Sequence, residues 1–270
     1  MINVAALQMV STDQLDENLD TAEKLIMEAV TKQAKLVTLP ENFPLMGKQD
    51  SDRLAIKEAY AKGPIQSFLS EQAKQHQIYL LGGTIPLESK NQDKVFPASL
   101  LFDPQGECIA HYDKIHLFDV LVDESSDESY RESDAFEPGN DVIVVETDIG
   151  NIGLSVCYDL RFPELYRKMH ENNVQIITAP SAFTATTGEA HWESILKARA
   201  IENLSYVIAS NQGGTHANER ETWGHSMIID PWGTILASVE KGTGIAVATI
   251  DLEQQTKLRE MFPALKHRKV

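Results

Sequence analysis

Short β-like runs alternate with amphipathic helical patterns from one end of this chain to the other, and that alternation constrains the fold more than any other feature. Residues 2–9 read as a strand, after which Leu15, Leu19, Ala22, Ile26 and Ala29 recur at helical spacing and predict a helix with one buried stripe. A strand over 35–39 and a helix over 65–77 follow, then strands over 78–82, 98–102 and 107–112. The last two flank the turn signal Asp103-Pro-Gln-Gly106 and read as a hairpin. Strands over 142–146 and 152–156 flank a second turn, Asp148-Ile-Gly-Asn151, before a helical stretch near Pro163 to Glu171. The remainder reads as a strand over 174–178, a helix over 190–202 and strands over 206–210, 226–229, 234–238 and 244–250. Helices interleaved with both parallel crossovers and hairpins imply an α/β architecture, with a mixed sheet or two sheets covered by helices. No linker-like stretch divides the 270 residues, so one domain over 1–270 is expected. Residues 122–140 break the rhythm: rich in acids and poor in large apolar side chains, they predict an exposed loop of a length that is often functional.

Charge and cysteine content narrow the function classes. With 24 Lys and Arg against 40 Asp and Glu, the formal charge of −16 opposes a nucleic-acid role, which draws on clustered cations. Two cysteines cannot form the disulfide framework of a small secreted domain and favour a reducing compartment, with the cytoplasm as the default. The opening MINVAALQMVSTDQ has neither a basic start nor a long apolar run, so neither a signal peptide nor a membrane span is indicated.

Three strand ends carry reactive side chains. Cys157 sits where an apolar strand gives way to Tyr158-Asp-Leu-Arg-Phe-Pro163, a helix start whose amides and dipole favour a thiolate. A free cysteine is more often a small buried hydrophobe, and Cys108, inside a hairpin strand, is read that way. Glu41 follows the apolar run ending at Pro40, where a surface cap is the plainer alternative to a buried, partnered carboxylate. Lys114 lies just beyond another strand, where solvation is the usual fate of lysine. A thiol, an acid and a cation at three strand ends suggest nucleophilic acyl transfer, although spacing alone does not bring them together. The eight histidines offer neither H-E-x-x-H nor Cys/His pair spacing, so no metal is expected.

PENFPLMG around Glu41, YDKIHLFDV around Lys114 and CYDLRFPELYR around Cys157 resemble the three signature segments of the nitrilase superfamily of carbon–nitrogen hydrolases. The similarity continues through APSAFTATTGEAHWESILKARAIEN and WGHSMIIDPWGT and so covers nearly the whole chain. The resemblance implies a four-layer α-β-β-α sandwich of two mixed sheets, no cofactor, and a homodimer paired through helices and sheet edges, here 157–172, 190–203 and 244–270. It assigns Cys157 as nucleophile, Glu41 as general base and acid, Lys114 as oxyanion-stabilising cation and Glu132 as a supporting carboxylate. It also makes the Tyr158 amide the natural second oxyanion donor. Arg161 and Glu164 match family positions, and an ion pair between them is as good a reading as substrate contact. The loop Phe183-Thr-Ala-Thr-Thr-Gly188 should lie at the pocket mouth, making Phe183, Thr184, Thr187 and His191 candidate substrate contacts, although His191 and Trp192 also suit packing at a helix start.

The TGEAHWE stretch is most similar to the deaminated glutathione amidase branch. It implies release of ammonia from the terminal primary amide of a small 2-oxo acid, with Lys197, Arg199 or Arg161 reading the carboxylate. An omega-amidase acting on 2-oxoglutaramate or 2-oxosuccinamate, another N-carbamoyl or aliphatic amide hydrolase, and a catalytically silent binding module remain open alternatives.

Overall fold

The computed structural model describes residues 1–123 and 128–269. The first half contains β1 (Ile2–Gln8), α1 (Leu15–Thr31), β2 (Ala34–Thr38), α2 (Pro64–His76), β3 (Tyr79–Leu81), β4 (Ile85–Glu88), β5 (Val95–Phe102) and β6 (Cys108–Asp113). A small pair, β7 (Asp119–Asp123) and β8 (Glu128–Arg131), leads into the second half. There β9 (Val144–Thr147), β10 (Gly150–Leu154), α3 (Pro163–Glu171), β11 (Ile176–Thr178), α4 (Ala185–Asn203), β12 (Tyr206–Ala209), β13 (Met227–Ile229), β14 (Ile235–Ser238), β15 (Gly244–Ile250) and α5 (Leu252–Met261) complete the chain.

Two mixed sheets result, one in the order β15-β1-β2-β3-β5-β4 with β6 on β5, the other in the order β14-β13-β12-β11-β10-β9. Each sheet carries three neighbouring parallel strands, β1-β2-β3 in one and β10-β11-β12 in the other. Alternation along β1 explains the layering. Val4 and Ala6 face a core shared with Ile176, Val207 and Ile228 of the second sheet, while Ala5 and Leu7 face Ala22, Ile26 and Leu69 of α1 and α2. Leu165 and Met169 of α3, with Trp192 and Leu196 of α4, cover the other side, giving the expected α-β-β-α sandwich.

The two hairpins read from turn signals are present as antiparallel β5–β6 and β9–β10. The acidic segment differs from expectation. Residues 124–127 lie outside the described residues, but β7 and β8 pair antiparallel, and Ala135 and Phe136 are buried against Val95 in a small core of their own. The C-terminal stretch read as a tail contains α5, begun by Asp251, whose carboxylate accepts from the Glu253 and Gln254 amides.

Candidate active site

Glu41, Lys114 and Cys157 follow the C-terminal ends of β2, β6 and β10. At each position the backbone is held by long-range hydrogen bonds: the Gln212 side chain donates to the Glu41 carbonyl at 3.0 Å, the Lys114 amide donates to the Pro97 carbonyl at 3.1 Å, and the Cys157 amide donates to the Pro180 carbonyl at 2.9 Å. Three strand ends from two sheets therefore converge on one point.

Lys114 is the hub. Its side chain is fully buried, and Nζ donates to Oε1 of Glu41 and to Oε2 of Glu132, each at 2.8 Å. Glu132, in the 3₁₀ turn Glu132–Asp134 after β8, is fixed in turn by the Phe118 amide, which donates to the same Oε2 at 2.8 Å. The Cys157 thiol hydrogen-bonds the Glu41 carboxylate, and the Ala182 amide faces the sulfur.

This packing sets the protonation states. Burial acts to raise the Glu41 pKa, but the Lys114 charge and the hydrogen bonds from Lys114 and Cys157 outweigh it and hold the carboxyl below its ordinary 4.5. Burial works against the Lys114 ammonium, yet Glu132 and then Glu41 hold it well above its ordinary 10.5. Burial and the Glu41 charge push the Cys157 thiol well above 9.0, against the opposing pull of Lys114. The resting site thus holds a carboxylate, an ammonium and a neutral thiol. The thiolate anticipated from a helix dipole does not arise, because residues Cys157–Arg161 form a short 3₁₀ turn and α3 begins only at Pro163.

Cys157 itself has φ +49°, a left-handed conformation that a side chain adopts at a cost of roughly 1–3 kcal/mol. Asp159, fully buried, over-determines this turn. Its Oδ2 accepts from the Val156 amide at 2.8 Å and the Tyr112 hydroxyl at 2.6 Å, while Oδ1 accepts from the His116 amide at 3.1 Å. The Tyr158 amide lies in the first residues of the turn, where backbone donors lack partners within the turn itself.

A narrow pocket of about 10 Å³ opens over these groups, lined by Glu41, Glu132 and Cys157 at its base and by Phe118, Tyr158, Arg161, Phe183, Thr184, Thr187 and Arg220 on its walls. Thr184 and Thr187 belong to the start of α4 rather than to a loop: the Thr184 hydroxyl caps the helix by accepting from the Thr187 amide. Arg161 forms no ion pair with Glu164 among the described residues; its guanidinium lies over the rings of Tyr158 and Phe183, at 5.8 and 5.5 Å, and 3.4 Å from Nδ1 of His191. His191 is exposed and reaches the pocket only through that contact, whereas Trp192 is buried and donates to the His225 carbonyl. Lys197 pairs with Glu193, and Arg199 is spent on the Leu160 carbonyl and Glu202, so Arg161 alone of those three cations lines the pocket. Sequence reasoning missed Asp159, Phe118 and Arg220. Asp159 and Phe118 do lie inside the signature segments, but Arg220 sits in a turn-rich stretch with no apolar periodicity.

The profile of carbon–nitrogen hydrolases matches residues 3–260. A deaminated glutathione amidase of Synechocystis sp. is 43% identical over 267 residues, spanning 98% of this chain and 97% of its own. The crystal structure of the C. elegans NitFhit protein superposes with a TM-score of 0.91 at 36% identity, covering 99% of this chain and 65% of that one. Saccharomyces cerevisiae Nit3, described as a member of branch 10 of the nitrilase superfamily, gives a TM-score of 0.86 at 30% identity, covering 97% of this chain and 94% of its own. The two-sheet sandwich is therefore a nitrilase fold, and the chain belongs to the carbon–nitrogen hydrolase family.

Proposed function

We propose that this single-domain protein hydrolyses an amide through a thioester on Cys157, the reading carried by one observation: Lys114 held between Glu41 and Glu132 beside a buried thiol. Glu41 removes the thiol proton as Sγ adds to the amide carbonyl. The Lys114 ammonium and the Tyr158 amide stabilise the resulting oxyanion. The tetrahedral carbon then expels the amine, which takes the proton from Glu41, and the C–N bond is exchanged for a C–S bond. Glu41, again ionised, accepts a proton from water as the water oxygen attacks the thioester; collapse releases the carboxylic acid and returns the proton to sulfur. Two acyl transfers replace one displacement with a poor leaving group. Glu132 positions Lys114 and offsets its charge.

The substrate is read as deaminated glutathione, after the name carried by the Synechocystis relative at 43% identity. Its chemistry alters one expectation from sequence. In glutathione the γ-amide nitrogen belongs to cysteine, so the amine leaving is cysteinylglycine rather than ammonia, and ammonia release is kept for simple primary amides such as 2-oxoglutaramate. Arg161, with Phe183, Thr184, Thr187 and the neighbouring His191, suits the 2-oxo acid half as a cation, an apolar wall and hydroxyl donors. Assays of 2-oxoglutarate release from deaminated glutathione, and of ammonia from 2-oxoglutaramate, N-carbamoyl-β-alanine and a simple nitrile, test the reading. The first substrate is expected to give the highest kcat/KM, and preference for any other would overturn the assignment.

The same reading includes a homodimer in a cytoplasmic, reducing setting. Ile201 and Phe262 are exposed and line one surface cleft with Pro163, Arg167 and Leu265, joining α3, α4 and the C-terminal segment. Sedimentation at micromolar concentration tests self-association, and a monomer would contradict it. No helix among the described residues is long and apolar enough to cross a membrane.

A further inference from the structure

Arg220 lines two neighbouring features. It forms part of the wall of the pocket over Cys157, and it also lines a wider outer cleft with Lys48, Tyr130, Thr186, Glu219 and Glu221. Its guanidinium is fixed in place: Nη2 donates to the Ala182 carbonyl at 2.6 Å, and the group lies 4.8 Å from the centre of the Tyr130 ring. The Nε–H is nevertheless buried with no acceptor among the described residues. Glu219 and Glu221 line the same cleft, yet among the described residues no carboxylate forms an ion pair with Arg220. A carboxylate docking on a preorganised guanidinium that has no carboxylate partner of its own gains charge-assisted hydrogen bonds.

We infer that Arg220 is a specificity-determining residue that receives a carboxylate at the far end of the amine half of the substrate, seated in the outer cleft. This rests on the substrate reading above and deepens it. Arg220 is assigned to the leaving-group side because it lines both the pocket over Cys157 and the outer cleft, whereas Arg161 lines the pocket but not the cleft. Arg161 lies on the Cys157 turn and also lacks a carboxylate partner among the described residues. Two guanidiniums lining one pocket suit a substrate with a carboxylate at each end and the scissile amide between them. A dipeptide leaving group spans about 7 Å when extended, which sets the separation its terminal carboxylate can have from the scissile amide.

The test compares two substrates with the same acyl half. The kcat/KM values for deaminated glutathione and 2-oxoglutaramate are measured for the wild type, Arg220→Gln and Arg220→Lys, with wild type also assayed on deaminated glutathione bearing a C-terminal carboxamide. In Arg220→Gln the kcat/KM ratio of the first substrate to the second is expected to fall at least ten-fold, mainly through KM, and Arg220→Lys is expected to recover part of it. The carboxamide substrate is expected to reproduce the loss in the unaltered enzyme, a result independent of any effect of substitution on folding. An unshifted ratio, or a carboxamide turned over as well as the acid, overturns the assignment of Arg220 alone. Wild-type protein that leaves deaminated glutathione untouched while hydrolysing 2-oxoglutaramate overturns the substrate reading and this inference with it.

Discussion

Lys114 Nζ donates to Glu41 Oε1 across 2.8 Å, joining two fully enclosed groups that lie on separate strand ends of the first sheet. The contact makes one cation serve both as the partner that keeps the general base ionised and as the donor awaiting the oxyanion. In Lys114→Met, the buried Glu41 and the partly exposed Glu132 are left without their shared counter-ion. Loss of one member of a buried pair costs about 3–5 kcal/mol. A lower unfolding midpoint is therefore expected, together with turnover reduced by roughly 10²-fold or more. Thermal melts and steady-state assays check the two effects separately.

The protonation pattern fixes the pH dependence. With Glu41 below 4.5 and Cys157 well above 9.0, neither group changes state near neutrality, and kcat/KM is expected to stay level from about pH 6 to about pH 8. A cysteine–histidine ion pair would instead give an inflection near the ordinary imidazole value. Stability follows the same signs. Glu41, depressed in the folded state, contributes fully above 4.5 and loses that contribution as pH falls through its lower folded value. Lys114, elevated in the folded state, contributes fully below 10.5 and loses it only as pH rises through its higher folded value. The stability gap between wild type and Glu41→Gln in urea should thus be constant at mid-pH and narrow in acid.

Asp159 governs the nucleophile's turn without facing the pocket. Asp159→Ala strips acceptors from the Val156 amide, the Tyr112 hydroxyl and the His116 amide, so Cys157 loses the frame that holds its positive φ. Each unmet buried donor costs roughly 1–3 kcal/mol. The expected result is a destabilised protein whose kcat falls more than its KM rises, with alkylation of Cys157 by iodoacetamide slowed even where the fold persists. Normal alkylation and turnover would contradict this positioning role.

Gly188 gives a packing test. In the first turns of α4, a Cβ built at this position comes 2.2 Å from Cβ of Trp223, a backbone-proximal atom that cannot swing away. Gly188→Ala is expected to displace the start of α4, and with it Thr184 and Thr187 on the pocket wall, raising KM while leaving the Cys157 turn in place. Substrate saturation curves distinguish this from a simple loss of folded protein.

Much of this arrangement is legible in the sequence, for physical reasons. Apolar runs leading to Glu41 and Lys114 hint at chemistry, because a charge is expensive beside a core unless it pairs, but a cysteine suits a core, and it is the resemblance of the three segments to the nitrilase superfamily that makes Cys157 legible beside them. The β5–β6 and β9–β10 hairpins are legible because their turns are local. What escapes is non-local or lacks an apolar stripe. In α5 only Gln255 is buried, so no periodicity advertises the helix. Phe136 finds its core in Val95, across a long stretch of chain, beneath an acidic segment that reads as solvated. Arg220 owes its placement to the Ala182 carbonyl and the Tyr130 ring, contacts invisible among the turn residues around it. Even the dipole argument for Cys157 fails on length, since the turn after it is short and the dominant influences are burial and Glu41.

The central claim is a covalent acyl bond to the sulfur of Cys157, and acid-quenched turnover followed by peptide mass mapping reads it directly. The expected result is a transient mass gain equal to the acyl half of the substrate on the peptide containing Cys157, absent without substrate. An adduct confined to any other residue during full turnover would contradict the mechanism.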